Sequence, residues 1–278
     1  MVIATHSVEP SKENQDWYDN LHNMKIRILG CSGGIGRGLR TTSLLVDDDV
    51  LIDAGSGLGD LTLDEMAKIR HVFLTHTHLD HIAFLPLLVD SIFDRITDPI
   101  VVHGQPETIK GLKEHLFNWV IWPDFARLPL EERPVMRYQI EPVGSTCNLA
   151  GRRFELIPVN HIVPTVGYRV ESPEGKSFAF SGDTTTNDSF WAALNAHDHL
   201  DLLFLEVAFS NDDEALSRTA RHYCSNSMAA DIAKLKHQPQ VYLTHHKPSE
   251  GKQIYREVKG LIKDRCIKQL KNNLTFTL

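Results

Sequence analysis

The sequence predicts an α/β protein in which two packed β-sheets carry helices on their outer faces, within one domain. Three observations lead there. From Lys25 onward short apolar segments alternate with longer amphipathic ones. Strand candidates dominate each half of the chain, and no repeat or low-complexity linker divides the halves. At 278 residues and 42% hydrophobic content, the chain can bury a core of the required size.

The polar start MVIATHSVEPSKENQDWYDNLHN has no signal-peptide core, so residues 1–23 are set apart as a leader and 24–278 as the folded domain. Strands are expected at 26–29, 43–46, 50–53, 71–74, 100–102, 154–159, 166–171, 177–181, 202–206 and 241–244. Several are almost wholly apolar, as strands covered on both faces are. The acidic turn Asp47-Asp48-Asp49 joins the second and third into a hairpin. Helices are expected at 79–90, 107–117, 189–196, 225–236 and 249–262.

The loop LGCSGGIGRGL after the first strand is similar to the glycine loop of short-chain dehydrogenases. A dinucleotide site needs a crossover helix next, and here a hairpin follows instead. Two readings of the loop remain. Ser32, Gly33 and Gly34 let backbone amides approach a phosphate, or the glycines only make a tight strand connection.

Composition excludes some classes. The net charge is −7, with 29 basic residues dispersed among 36 acidic ones, which argues against an extended nucleic-acid track. No apolar run approaches the roughly 18 residues of a membrane span, so no membrane partner is expected. Cys31, Cys147, Cys224 and Cys266 show no framework spacing, which points to a reducing cytoplasm.

The chemistry sits directly after the strand HVFL, in THTHLDHIAFLPLL. His76, His78, Asp80 and His81 place three imidazoles and a carboxylate within six residues. All are ligands for a divalent metal, and the first two lie on one side of an extended segment. Asp80 and His81 begin a helix and turn toward a second position, a spacing that serves two adjacent ions.

HTHLDH resembles the signature of the metallo-β-lactamase fold, which implies an αββα sandwich of two mixed sheets with a metal site at the sheet edge. The resemblance implies further ligands after later strands: His161 in VNHIVP, Asp183 in SGDTTT and His245 in THHKP. His246 is the neighbouring alternative to His245. By this resemblance His76, His78 and His161 hold one ion, Asp80, His81 and His245 the other, and Asp183 bridges them. Zinc is the first choice of metal, with manganese and iron suited to the same ligands.

A bridging carboxylate with a final histidine resembles the hydrolase branch of phosphodiesterases, tRNA 3′-end nucleases and thioesterases. FNWVIWPDF, RHYCSNSMAADIAKL and VYLTHHKP are similar to class II cyclic-nucleotide phosphodiesterases. The implied reaction opens a 3′,5′-cyclic nucleotide or a related small phosphodiester with a hydroxide shared by two ions about 3.5–4 Å apart. Asp80 then accepts the nucleophile's proton, and His222, held by Glu206, protonates the leaving oxygen. Asp53 either hydrogen-bonds a ligand, fixes the loop carrying the tetrad, or is a turn residue. Trp119, Trp122 and Phe125 form either a wall for base stacking or part of the core.

Two other functions are weighed. A tRNA 3′-processing endonuclease shares the ligands and the Glu206/His222 pair, but its basic, glycine-rich arm is missing from this sequence. A non-hydrolytic di-iron sensor or binding protein is compatible with the same ligands. The expected partner is a small phosphodiester rather than an extended nucleic acid; a homodimer is left open.

Overall fold

The computed structural model describes residues 23–278; the leader expected at 1–23 lies, but for its last residue, outside the described residues. The first sheet begins with β1 (Lys25–Gly30), β2 (Ser43–Val46) and β3 (Val50–Ile52). After the short helix α1 (Leu63–Met66) come β4 (His71–Phe73), α2 (Leu79–Ile82), α3 (Leu85–Ser91), β5 (Ile100–Gly104) and α4 (Pro106–His115). A small ribbon, β6 (Pro129–Leu130) with β7 (Arg133–Pro134), precedes β8 (Met136–Ile140).

The second sheet follows with β9 (Thr146–Leu149), β10 (Arg152–Val159), β11 (Thr165–Glu171), β12 (Ser177–Phe180), α5 (Ser189–Asn195) and β13 (Leu202–Glu206). Then come α6 (Glu214–Ala220), α7 (Ser225–Ile232), β14 (Gln240–Thr244), α8 (Gly251–Leu261), β15 (Ile267–Gln269) and β16 (Thr275–Thr277). Sheet one has the order β16-β1-β2-β3-β4-β5-β8 and sheet two β15-β14-β13-β12-β11-β10-β9. Each sheet joins an antiparallel part to a parallel part of four strands. The expected two-sheet sandwich is therefore present, with both sheets mixed.

Strand alternation distributes the core into three layers, because successive side chains point to opposite faces. Between the sheets lie Ile26, Ile28, Phe73, Phe154, Tyr168, Phe178 and Phe204. Val72 and Leu74 point the other way, against Ile82, Leu85, Leu88, Ile109 and Leu112 of the helices. On sheet two, Leu203, Leu205, Val241 and Leu243 meet Phe190, Trp191, Met228, Ile232, Ile254 and Val258. Each such side chain contributes about 1.5–3 kcal/mol on burial, and both sheets thereby hold helices on their outer faces.

The predicted hairpin of β2 and β3 is present, with Val46 opposite Val50, and Asp47 takes a left-handed φ of 51° in its turn. The single helix expected at 79–90 is two helices. Phe84 donates its amide to the Ala54 carbonyl at 2.9 Å, outside any helical ladder, and Pro86 starts the second helix without an N–H to give. Helix α6 and strands β8, β9, β15 and β16 were not expected; β9 and β16 alternate exposed and half-buried residues at sheet edges. No helix among the described residues is long and apolar enough to cross a membrane.

Candidate metal centre

All the predicted ligands stand at one end of the sandwich. His76 follows β4, His161 lies in the β10–β11 turn, Asp183 follows β12 and His245 follows β14. Asp53 follows β3 and Glu206 ends β13. These are carboxyl ends of strands, where an α/β sheet leaves a crevice. The main chain bends at Thr75 and is extended at His78, and α2 begins at Leu79, which carries Asp80 and His81 round to the far side.

The side chains fall into two groups around Asp183. His161 Nε2 is 3.2 Å from His78 Nδ1 and 3.9 Å from Asp183 Oδ2, and His76 Nε2 is 3.6 Å from the same oxygen. On the other side, His81 Nε2 and His245 Nε2 are each 3.3 Å from Asp183 Oδ1. His245 Nε2 is 3.2 Å from Asp80 Oδ2 and 3.4 Å from His81 Nε2. Two ligand atoms on one tetrahedral zinc stand about 3.3 Å apart. The spacings suit an ion in each group, with one Asp183 oxygen facing each.

On His76, His81 and His161 the other imidazole nitrogen is tied to protein. Asp53 Oδ2 takes the His81 Nδ1 proton at 2.7 Å, and Asp53 also accepts from the Thr75 amide at 2.8 Å. His161 Nδ1 donates to the Arg221 carbonyl at 2.9 Å, and Thr75 Oγ1 stands 2.9 Å from His76 Nδ1. Each contact leaves Nε2 turned inward, which is how ligating histidines are oriented. Thr75 and Arg221 were missed from sequence: one is an ordinary strand-end threonine and the other acts through its backbone.

Burial supports a cation here. His76 Nε2 and Asp183 Oδ1 are buried with no hydrogen-bond partner among the described residues, a costly condition that a metal would relieve. Burial keeps His76, His78 and His161 in the neutral, ligating form, with His161 pushed down to about 4. Burial opposes charge on His81, but the Asp183 and Asp53 carboxylates outweigh it and raise its pKa well above the usual value. The pocket demands positive charge, and a divalent ion meets that demand as a proton does.

His245 rather than His246 reaches the group. His246 turns away, its Nδ1 donating to the Val207 carbonyl at 2.7 Å. His245 sits at a left-handed φ of 62°, and its backbone N–H donates a hydrogen bond to the Cys31 carbonyl at 2.8 Å. A Cβ on Gly33 would stand 2.5 Å from the His245 carbonyl oxygen, so glycine is required there by close approach of two backbones.

This settles the glycine loop against the amide-cradle reading at two positions. The Ser32 amide donates to the Arg40 carbonyl and the Gly33 amide to the His246 carbonyl, at 2.9 and 3.0 Å. Neither is available to hold a phosphate, and the loop instead buttresses the turn that carries His245. Gly34 packs on Pro248.

His222 lies beside both groups, its ring centroid 4.9 Å from that of His161 and 5.3 Å from that of His245. Its Nδ1 is 2.8 Å from Glu206 Oε1, inside the core. Burial would lower its pKa, but the Glu206 carboxylate overrides that and raises it.

The aromatic wall is corrected. Phe125 is 2% exposed and packs between Phe93 and Phe117, and Trp122 lies against the same core. The Phe125 ring is spent on the fold and offers no face to a base, whereas Trp122 is only half-buried. Trp119 is exposed, in a tight turn closed by its amide bond to the Trp122 carbonyl.

Residues 49–246 match the family described as "Beta-lactamase superfamily domain". The chain is 26% identical to a probable 3′,5′-cyclic-nucleotide phosphodiesterase of Yersinia pestis over 80% of its length and 77% of that protein. It is 28% identical to the ribonuclease Z of Bradyrhizobium sp. (strain ORS 278), over 70% of this chain and 79% of that one. Among solved structures, unliganded yeast PDE1 superposes with a TM-score of 0.77 at 18% identity, covering 92% of this chain and all of that one. Strand order, site position and family match agree: the chain belongs to the beta-lactamase superfamily and is a hydrolase of the metallo-β-lactamase fold.

Proposed function

We propose that the chain is a phosphodiesterase that opens a 3′,5′-cyclic nucleotide, or a related small cyclic phosphate, at a two-metal centre. The observation that carries the phosphodiester-cleaving part of this reading is His222, held by buried Glu206 at 2.8 Å beside both ligand groups. An alkoxide leaving from phosphorus needs a proton, and an imidazole kept protonated by a carboxylate supplies one.

His76, His78 and His161 would hold one ion and Asp80, His81 and His245 the other, with Asp183 between. Zinc is the first choice. When bound, two such ions neutralise the phosphate and lower the proton affinity of water. The chain's own residues do the rest. Asp80 has the more exposed carboxylate of the group, its side chain 26% accessible against 2% for Asp183, and it can accept the nucleophile's proton. Asp183 aligns the two halves, and Glu206 keeps the donor proton on His222 Nε2.

Similarity to the Yersinia protein over most of both chains supports the cyclic-nucleotide reading. A tRNA 3′-processing activity is the second reading, favoured by similarity to ribonuclease Z over a comparable length. The net charge of −7 weighs against a long polyanion. Metal-reconstituted protein should be screened on cyclic AMP, cyclic GMP, 2′,3′-cyclic phosphates and pre-tRNA. Preferential cleavage of pre-tRNA would replace the first reading by the second, and reversible oxygen-dependent colour without any hydrolysis would replace both by a di-iron sensor.

A further inference from the structure

A second cluster of ligand-type side chains lies at the open edge of the sandwich and has no part in the proposed reaction. His103 on β5, Glu141 just beyond β8 and Cys147 on β9 bring a nitrogen, an oxygen and a sulfur within 4.8 Å of one another. His103 Nδ1 is 2.8 Å from Glu141 Oε1, and His103 Nε2 is 2.9 Å from His71 Nδ1. The Phe73 ring stacks on His103 at 4.1 Å and fixes its plane.

We propose that His103, Glu141 and Cys147 form a site for one further divalent transition metal ion of the zinc class. The donor set is the first reason. Thiolate, imidazole and carboxylate together suit a borderline-soft ion, which takes sulfur at about 2.3 Å and nitrogen or oxygen at about 2.0–2.2 Å. The Cys147 thiol is partly buried against the inter-sheet core beside Glu141, has no disulfide partner, and gives up its proton when an ion binds.

Orientation is the second reason. Without an ion His103 Nδ1–H donates to Glu141; an ion would replace that proton, with the freed Nδ1 lone pair directed toward Glu141 and Nε2–H donated to His71 Nδ1. That is the outer contact that fixes a ligating imidazole. Placement is the third. His103 and Glu141 belong to sheet one and Cys147 to sheet two, and β8 and β9 are the edge strands of their sheets. An ion here ties the two sheets together across an edge that no strand ladder closes. The fourth position is left to water.

The sulfur gives a test that the histidine centre cannot imitate, since that centre offers only nitrogen and oxygen. Metal-free full-length protein titrated with Co(II) should develop a sulfur-to-cobalt charge-transfer band. The band should be lost in Cys147→Ser and His103→Asn and kept in Asp183→Ala. A wild-type titration without the band, or a band that survives Cys147→Ser, overturns the site. If the variants do not fold, wild-type protein decides: Zn(II) should slow alkylation of Cys147, followed by peptide mass, about tenfold or more. An unchanged rate rejects the proposal.

Discussion

Asp53 and His81 form a wholly buried pair in which Asp53 Oδ2 lies 2.7 Å from His81 Nδ1. The contact commits that nitrogen to the carboxylate and leaves only Nε2 for a metal. Asp53→Asn keeps the shape but removes the charge that orients and enriches the imidazole. Affinity for Zn(II) in the Asp80/His81/His245 half should fall about 10–100-fold, measured by competition with a chromophoric chelator. Wild-type affinity in the variant would show that Asp53 only shapes the turn.

Asp183 presents one oxygen to each ligand group, so its loss should be felt in both. In a Cys147→Ser background, elemental analysis should find close to two divalent ions per chain. Asp183→Ala in that background should lose at least one. Unchanged metal content would remove the bridging assignment.

His222 should matter in proportion to how poor the leaving group is. His222→Ala should slow cyclic AMP hydrolysis far more than hydrolysis of bis(p-nitrophenyl) phosphate, whose leaving group departs without a proton. Equal losses on the two substrates reject a proton-donor role.

On the proposed mechanism the same histidine should set the alkaline limb of the pH–rate profile. Glu206 raises its pKa above the usual value, so the protonated donor persists to higher pH in the wild type. Glu206→Gln withdraws that support, and the alkaline limb should move to lower pH. A limb that stays in place means another group controls it.

Phe125 divides a stability role from a binding role. As a buried core ring, Phe125→Ala should cost about 3–5 kcal/mol in denaturant unfolding while the Michaelis constant for cyclic AMP stays unchanged. A raised Michaelis constant with intact stability would restore the stacking wall.

The centre was legible because most of its information is local. The tetrad lies within six consecutive residues after an apolar strand, and Asp183 and His245 each follow one. Contacts made by the backbone left no such mark: the Arg221 carbonyl that orients His161 would be offered by any residue. The glycine loop misled for a related reason. A glycine needed for approach to a phosphate and one needed for approach to the His245 carbonyl are the same residue in sequence, and only the partner distinguishes them. In the fold, apolar alternation revealed the interior strands, whereas β9 and β16 have too little to bury at a sheet edge to produce a pattern. Phe125 was ambiguous because an aromatic run suits a pocket and a core equally.

Strand β16 lies antiparallel to β1, and Met24 and Leu278 exchange backbone hydrogen bonds at 3.0 and 2.9 Å. β1, the first strand among the described residues, therefore waits for residues 275–277 before its outer ladder closes. Until then a nascent chain carries an unpaired β-edge, the kind of template on which other chains add. Synthesis halted before residue 275 should yield a product that aggregates although every proposed metal ligand is already present, so solubility would be decided after the chemistry is complete.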